Sequence, residues 1–266
     1  MSNYVVVTYA THSEGMFEKL IHNDFNVPIK VLGWGEPWVS YTQRFVAMLA
    51  FMQTLPDDMI VIFLDGWDTA IHRHPRGAVE HFKSTNADIL FSSDRTASSA
   101  INFINSTAFD NTCTDINQKQ INAGMYVGYV RAITKLFTHV MYMYPDEADD
   151  QLMINKECHR LSSMMNLQVD VGKKVFENIF CGLKGLSTKS HTEPYFISYP
   201  GSGGTDTFDL QTFLDRSRRD AGAYSKQILT TLRLRYSNHL IILLLGIIFS
   251  LVFIRNRRCL SVKKRT

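Results

Sequence analysis

Met59-Ile60-Val61-Ile62-Phe63-Leu64 is an unbroken apolar run that ends directly in Asp65-Gly66-Trp67-Asp68. A run that short and that β-branched, bounded by a tight polar turn, reads as a strand buried on both faces. Such strands belong to sheets covered by helices on both sides, so the chain is expected to be α/β. The neighbouring segments agree. Val5-Val6-Val7, Ile29-Lys30-Val31-Leu32, Asp88-Ile89-Leu90-Phe91-Ser92 and Gly124 to Val130 read as further strands, and the domain is expected to close near Tyr195 to Tyr199. Helical spacing falls between them, over Thr11 to Ile21, Phe45 to Leu55, Pro75 to Phe82, Ile133 to Met143 and Gln151 to Leu161. Strands alternating with helices imply a mainly parallel sheet with flanking helices. Residues 94–120 are polar and read as a long loop.

Charge narrows the function classes. The 266 residues carry a formal net charge of +3, but six basic groups crowd into residues 255–266. Subtracting them leaves residues 1–254 at −3, without the basic field a nucleic-acid binder needs. Residues 1–207 read as one domain and 208–237 as an amphipathic helical stem. Residues 238–254 are expected to span a membrane, since Leu240 to Ile254 holds no charge and the basic tail 255–266 follows. Tyr4 to Ala10 is too short and too β-rich for a signal peptide and is expected to be the first strand. The four cysteines, Cys113, Cys158, Cys181 and Cys259, show no CxxC spacing and are expected to be free thiols.

Ligands of open α/β sheets gather at the carboxyl ends of the strands. Asp65 and Asp68 fall at such an end. Two carboxylates on one turn suit a hard divalent cation, Mn²⁺ or Mg²⁺, that grips a diphosphate. A capped turn explains the pair equally well on spacing alone. Trp67 lies between them, placed to stack on a base. Asp149-Asp150 opens a predicted helix, where a carboxylate also serves as a cap. Asn122 precedes a strand and is either a sugar ligand or a turn residue. Gly33, Gly35, Gly201, Gly203 and Gly204 permit close approach to a ligand, or mark ordinary loops. No HExxH, GxSxG or Walker pattern occurs.

The order of these motifs is specific. Gly33-Trp34-Gly35-Glu36-Pro37-Trp38, Phe63-Leu64-Asp65-Gly66-Trp67-Asp68, Asn122-Ala123-Gly124-Met125 and Asp149-Asp150-Gln151 follow one another as in the glycosyltransferase domain of the procollagen lysyl hydroxylases. The resemblance, over about residues 4–205, extends to the standalone form found in large DNA viruses. It implies a GT-A fold, related to the Rossmann fold, a Mn²⁺ ion, a UDP-sugar donor and transfer of glucose or galactose to a collagen-like acceptor. By resemblance Asp65 and Asp68 are metal ligands. Trp67, Trp38 and Arg44 contact the nucleotide, as do Gly201 and Gly203 of a glycine turn. Asn122, Asp149 and Asp150 serve the sugar side. The family closes its metal site with a histidine in that turn, and here Pro200 stands in its place. A sugar-nucleotide-binding membrane protein without turnover is therefore the competing reading. The basic tail, ending Lys263-Lys264-Arg265-Thr266, is expected to be cytosolic, with the domain facing the endoplasmic reticulum lumen.

Overall fold

The computed structural model describes residues 4–93, 121–147, 150–178 and 193–199. The chain divides into two units, 1–223 and 224–266, and every described residue lies in the first. Asp149, Pro200, Gly201 and Gly203 fall outside the described residues, as do the stem, the segment 238–254 and the basic tail. Among the described residues no helix is long and apolar enough to cross a membrane.

The core is a mixed α/β sandwich. Strands β1 (Tyr4–Tyr9), β2 (Ile29–Leu32), β3 (Ile60–Asp65), β5 (Ile89–Ser93), β6 (Ile121–Tyr129) and β7 (Leu167–Asp170) form one sheet in the order β2-β1-β3-β6-β5-β7. A smaller sheet orders β4 (Thr69–Ile71), β9 (Phe196–Ser198) and β8 (Phe176–Asn178) as β4-β9-β8. The main sheet is mainly parallel, as expected, with one exception. β6 runs antiparallel to both neighbours, β3 and β5. Its amino end therefore lies at the same edge as the carboxyl ends of the other strands.

The apolar run in β3 serves both faces by alternation. Val61 and Phe63 face one cluster, with Phe45 and Met48 of helix α2 (Gln43–Met52) and Phe137 of α4 (Val130–Met143). Ile60, Ile62 and Leu64 face the other, with Leu20 of α1 (Phe17–Ile21) and Phe82 of α3 (Pro75–Ser84). Phe45 stacks on Phe137 with ring centroids 3.9 Å apart. Helix α1 starts later than expected, because Gly15 takes φ of 59° and breaks the preceding turn. Strand β6 begins three residues before its expected start at Gly124, which puts Asn122 inside the strand rather than in a turn ahead of it.

Helix α5 (Asp150–Met164) packs on α4, sharing an apolar cluster with it, and a polar cluster centred on Glu157 joins the two. Tyr144 Oη donates to Glu157 Oε1 at 2.9 Å, and His139 Nε2 meets Glu157 Oε2 at 2.8 Å. Burial pushes the Glu157 carboxyl up, but the bonds from His139 and Tyr144 and the charge of Arg160 outweigh it and hold it below its ordinary value. A depressed carboxyl stabilises the fold above the unfolded-chain pKa of about 4.3, and that stability disappears as pH falls through the folded value. Glu157→Gln is thus expected to melt below the wild type at pH 7, with the gap closing under about pH 4. An equal gap at both pH values in thermal melts would remove this role. Next to it, Cys158 is disulfide-bonded. That corrects the expectation of free thiols, and the other three cysteines lie outside the described residues.

Candidate functional site

The reversed direction of β6 assembles the site. Leu64 is paired with Met125 across the β3–β6 ladder, so the next residue, Asp65, stands beside Gly124. A Cβ on Gly124 would lie 3.7 Å from Asp65 Cβ and 3.1 Å from Asn122 Oδ1, so the glycine lets the two functional side chains approach. Asn122 is held by its neighbours: its Oδ1 accepts from Gly124 N and from Ser92 Oγ, both at 3.0 Å.

The turn after β3 is tight and anchored at both ends. Gly66 passes so near β1 that a Cβ there would meet Thr8 Oγ1 at 2.9 Å and Tyr9 O at 3.0 Å. Asp65 Oδ1 accepts from Trp67 N at 3.3 Å. Asp68 is tied to the small sheet: its Oδ1 accepts from Ser198 Oγ at 2.9 Å, and its carbonyl accepts from Tyr199 N at 2.8 Å. Ser198 was not foreseen from the sequence. Tyr195 to Tyr199 were read only as the close of the domain, and nothing in them names a partner for Asp68.

Arg44, projecting from α2, joins the two acidic positions. Its guanidinium is ion-paired and hydrogen-bonded to Asp150 at the start of α5, and Nη1 reaches Asp65 Oδ2 at 3.5 Å. It also lies over the Phe63 ring, 5.5 Å from the centroid. Both partners are deeply buried, Asp150 at 3% and Arg44 at 7% exposure. Burial works against the guanidinium charge, but Asp150 and Asp65 outweigh it and hold the group protonated. Gln151, the residue after Asp150, accepts from Ala123 N at 3.2 Å and ties α5 to β6.

On the other side of Asp65 lies an aromatic wall. Trp67 and Trp38 have ring centroids 5.3 Å apart, and Tyr41 and Tyr9 pack on Trp38 at 5.3 Å and 6.1 Å. Trp67 Nε1 donates to His12 O at 3.0 Å. Two donors in this wall, Tyr9 Oη and Trp38 Nε1, are buried without a hydrogen-bond partner among the described residues. Burial, with Glu36 nearby, pushes the Tyr9 hydroxyl up to about 12, so it remains a donor at neutral pH. Orphaned buried donors are costly, and a ligand with carbonyl or hydroxyl oxygens would satisfy them. Tyr9 was missed in the sequence. Its place at the carboxyl end of β1 was the available signal.

The structure thus brings Asp65, Asp68, Trp67, Trp38, Arg44, Asn122 and Asp150 to one edge of the sheet. Among the described residues no three His, Cys, Asp or Glu side chains come together as a metal site. Asp65 and Asp68 supply two hard oxygen ligands, a set that fits Mn²⁺ or Mg²⁺ when phosphate and water complete the shell.

Residues 1–198 match the family model described as the PLOD GT domain. Human procollagen-lysine,2-oxoglutarate 5-dioxygenase 2 is 24% identical over 165 residues, which are 57% of this chain and 21% of that protein. The human multifunctional procollagen lysine hydroxylase and glycosyltransferase LH3 is 24% identical over 189 residues, 66% of this chain and 25% of that protein. The chain spans about a quarter or less of the length of these curated relatives. Among solved structures, a glycosyltransferase involved in the glycosylation of the major capsid of PBCV-1 aligns over 81% of this chain and 98% of its own, with 9% identity and a TM-score of 0.48.

Proposed function

Since the chain belongs to the PLOD GT domain family of glycosyltransferase domains, we propose that it transfers a hexose, glucose or galactose, from a UDP-sugar to an acceptor hydroxyl with the help of a divalent metal. The observation that carries this reading is the convergence of Asp65, Asn122 and Asp150 beside an aromatic wall at one sheet edge. In this reading the domain has a GT-A-like arrangement.

Asp65 and Asp68 would hold the metal, Mn²⁺ or Mg²⁺, which when bound neutralises charge on the leaving diphosphate. Trp67 and Trp38 enclose the base, and Tyr9 Oη and Trp38 Nε1 donate to its oxygens or to the ribose. Asn122, its side chain fixed by Ser92 and Gly124, presents its amide to a sugar hydroxyl. Arg44 fixes the direction of Asp150, so that Asp150 accepts hydrogen bonds from sugar hydroxyls as the donor is positioned. Asp149 keeps a proposed role on the sugar side, as do Gly201 and Gly203 at the nucleotide. The acceptor we propose is a collagen-like protein carrying hydroxylysine or its galactosyl derivative. The disulfide at Cys158 favours an oxidising compartment. It supports a domain facing the endoplasmic reticulum lumen, anchored by residues 238–254.

The test is UDP release from a panel of UDP-sugars, with and without a hydroxylysine peptide. Release is expected with Mn²⁺, to fall to background with EDTA and to return when Mn²⁺ is added back. Undiminished release in EDTA would sink the metal assignment. A second reading, UDP-sugar binding without turnover, is favoured by Pro200 at the position of the family's histidine. It predicts UDP binding in calorimetry with no release or transfer from any donor.

A further inference from the structure

A second concave site lies away from the donor edge. A cavity of about 310 Å³ is lined by Arg73, His81, Lys173, Lys174, Glu193 and Tyr195. Two elements supply its cations, the segment after β4 and the turn between β7 and β8, and helix α3 adds the imidazole of His81.

Arg73 and the turn that carries Lys173 and Lys174 are held in place before any ligand arrives. Arg73 lies over the Tyr195 ring, 4.3 Å from the centroid, and its Nη1 donates to Glu193 O at 2.8 Å. One N–H is used there, and the rest of the guanidinium fork stays available. The turn bearing Lys173 and Lys174 is braced from below: the Asp170 carboxylate accepts from Lys174 N at 3.1 Å, Val175 N at 2.6 Å and Phe176 N at 2.9 Å. Lys173 is paired with Glu177 at 2.9 Å. The ammonium of Lys174 and the ring of His81 make no hydrogen bond or ion pair with the described residues.

We propose that this cavity is an acceptor subsite that receives a carboxylate side chain of an acidic polypeptide. The proposal rests on the glycosyl-transfer reading above. Strand β4 connects the two places: Asp68 precedes it and Arg73 follows it. The five chain steps between them, which include the three strand residues of β4, put them no more than about 18 Å apart. An extended peptide of about five residues spans the same length, so a hydroxyl at the donor edge and a carboxylate in the cavity can belong to one acceptor. Guanidinium and ammonium together suit an oxyanion through charge-assisted hydrogen bonds. Glu193 interrupts the positive lining, and residues 1–254 carry a net charge of −3. That disfavours a long polyanion and favours a single acidic side chain.

The experiment measures binding of a fluorescent ten-residue peptide with two glutamates, and of its glutamine counterpart, to the full chain. The glutamate peptide is expected to bind about tenfold more tightly, as one or two charge-assisted contacts warrant. Arg73→Gln with Lys174→Gln is expected to erase that preference while leaving UDP release to water unchanged. Equal binding of the two peptides, or a preference that survives in the double variant, would overturn the subsite. Inorganic phosphate or a uronic-acid oligosaccharide binding there, with no glutamate preference, would overturn the polypeptide assignment. Peptide binding is read without turnover. Failure of the transferase reading would therefore appear in UDP release alone and leave the glutamate preference standing.

Discussion

Asp65→Asn is expected to lower metal-dependent UDP release by about a hundred- to a thousand-fold, the scale of losing one element of charge stabilisation at a reacting centre. The substitution is chosen for what it keeps. An asparagine oxygen can still accept from Trp67 N, which Asp65 Oδ1 does at 3.3 Å. The side chain keeps its shape beside Gly124, so the turn is expected to stay folded while the charge is gone. Asp68→Ala is the harsher change. It removes the acceptor of Ser198 Oγ and is expected to cost about 1 kcal/mol of stability as well as turnover. Comparing the two separates charge from scaffold. Thermal melting should change little for Asp65→Asn and fall for Asp68→Ala, while both lose release. Full turnover in Asp65→Asn would mean that this carboxylate holds no metal.

The second large effect concerns the buried pair. Arg44→Met leaves Asp150 buried at 3% exposure with its guanidinium removed. Breaking such a pair on one side costs about 3–5 kcal/mol, because the remaining charge has lost its compensation. Chemical denaturation of Arg44→Met is expected to show a loss on that scale. Adding Asp150→Asn is expected to return most of it, since the second change removes the stranded charge. Turnover should not return, because the sugar-side carboxylate is then absent. Simple addition of the two single losses would show that the groups are not coupled, and the assignment of Arg44 as the strut of Asp150 would fail.

Much of the fold was legible because burial leaves a pattern. β3 announces itself because both of its faces are covered, so Ile60 to Leu64 are apolar without interruption. Helix α3 was equally legible, since Pro75 opens it and Ala78, Val79 and Phe82 fall on one face. Direction is another matter. Alternation in β6 is the same whichever way the strand runs, so nothing in Ile121 to Tyr129 says that it is antiparallel. That fact makes Asn122 a neighbour of Asp65. Strands β4, β7, β8 and β9 were missed because each has only three or four residues and none has the three apolar positions that marked β2. Two of them hide polar side chains inside: Asp170 folds its turn, and Glu177 meets Lys173.

For the site, residue types were legible and partnerships were not. Asp65, Asp68 and Trp67 stand out on one turn after a buried strand. Arg44 was expected at the nucleotide, yet the structure also commits it to Asp150, 106 residues away in sequence. No local pattern encodes a contact at that range. Asp150 was read as a helix cap on spacing and as a sugar-side carboxylate by resemblance, and its Oδ1 accepts from Gln151 N at 2.7 Å. Its second oxygen faces Arg44, which only the three-dimensional arrangement reveals.

The pairing of Ser93 with Ile121 has a consequence for how such a domain diversifies. Strand β5 ends at Ser93 and β6 begins at Ile121, and these two residues are partners on adjacent strands. Departure and return are thus fixed by the ladder itself, whatever lies between. Doubling the length of the intervening stretch costs only about 0.6 kcal/mol in closure entropy. Whole-segment exchange at this junction would leave Asp65, Asn122 and the aromatic wall in register. It is the place where a lineage, or a protein engineer, can graft a new surface without rebuilding the candidate site.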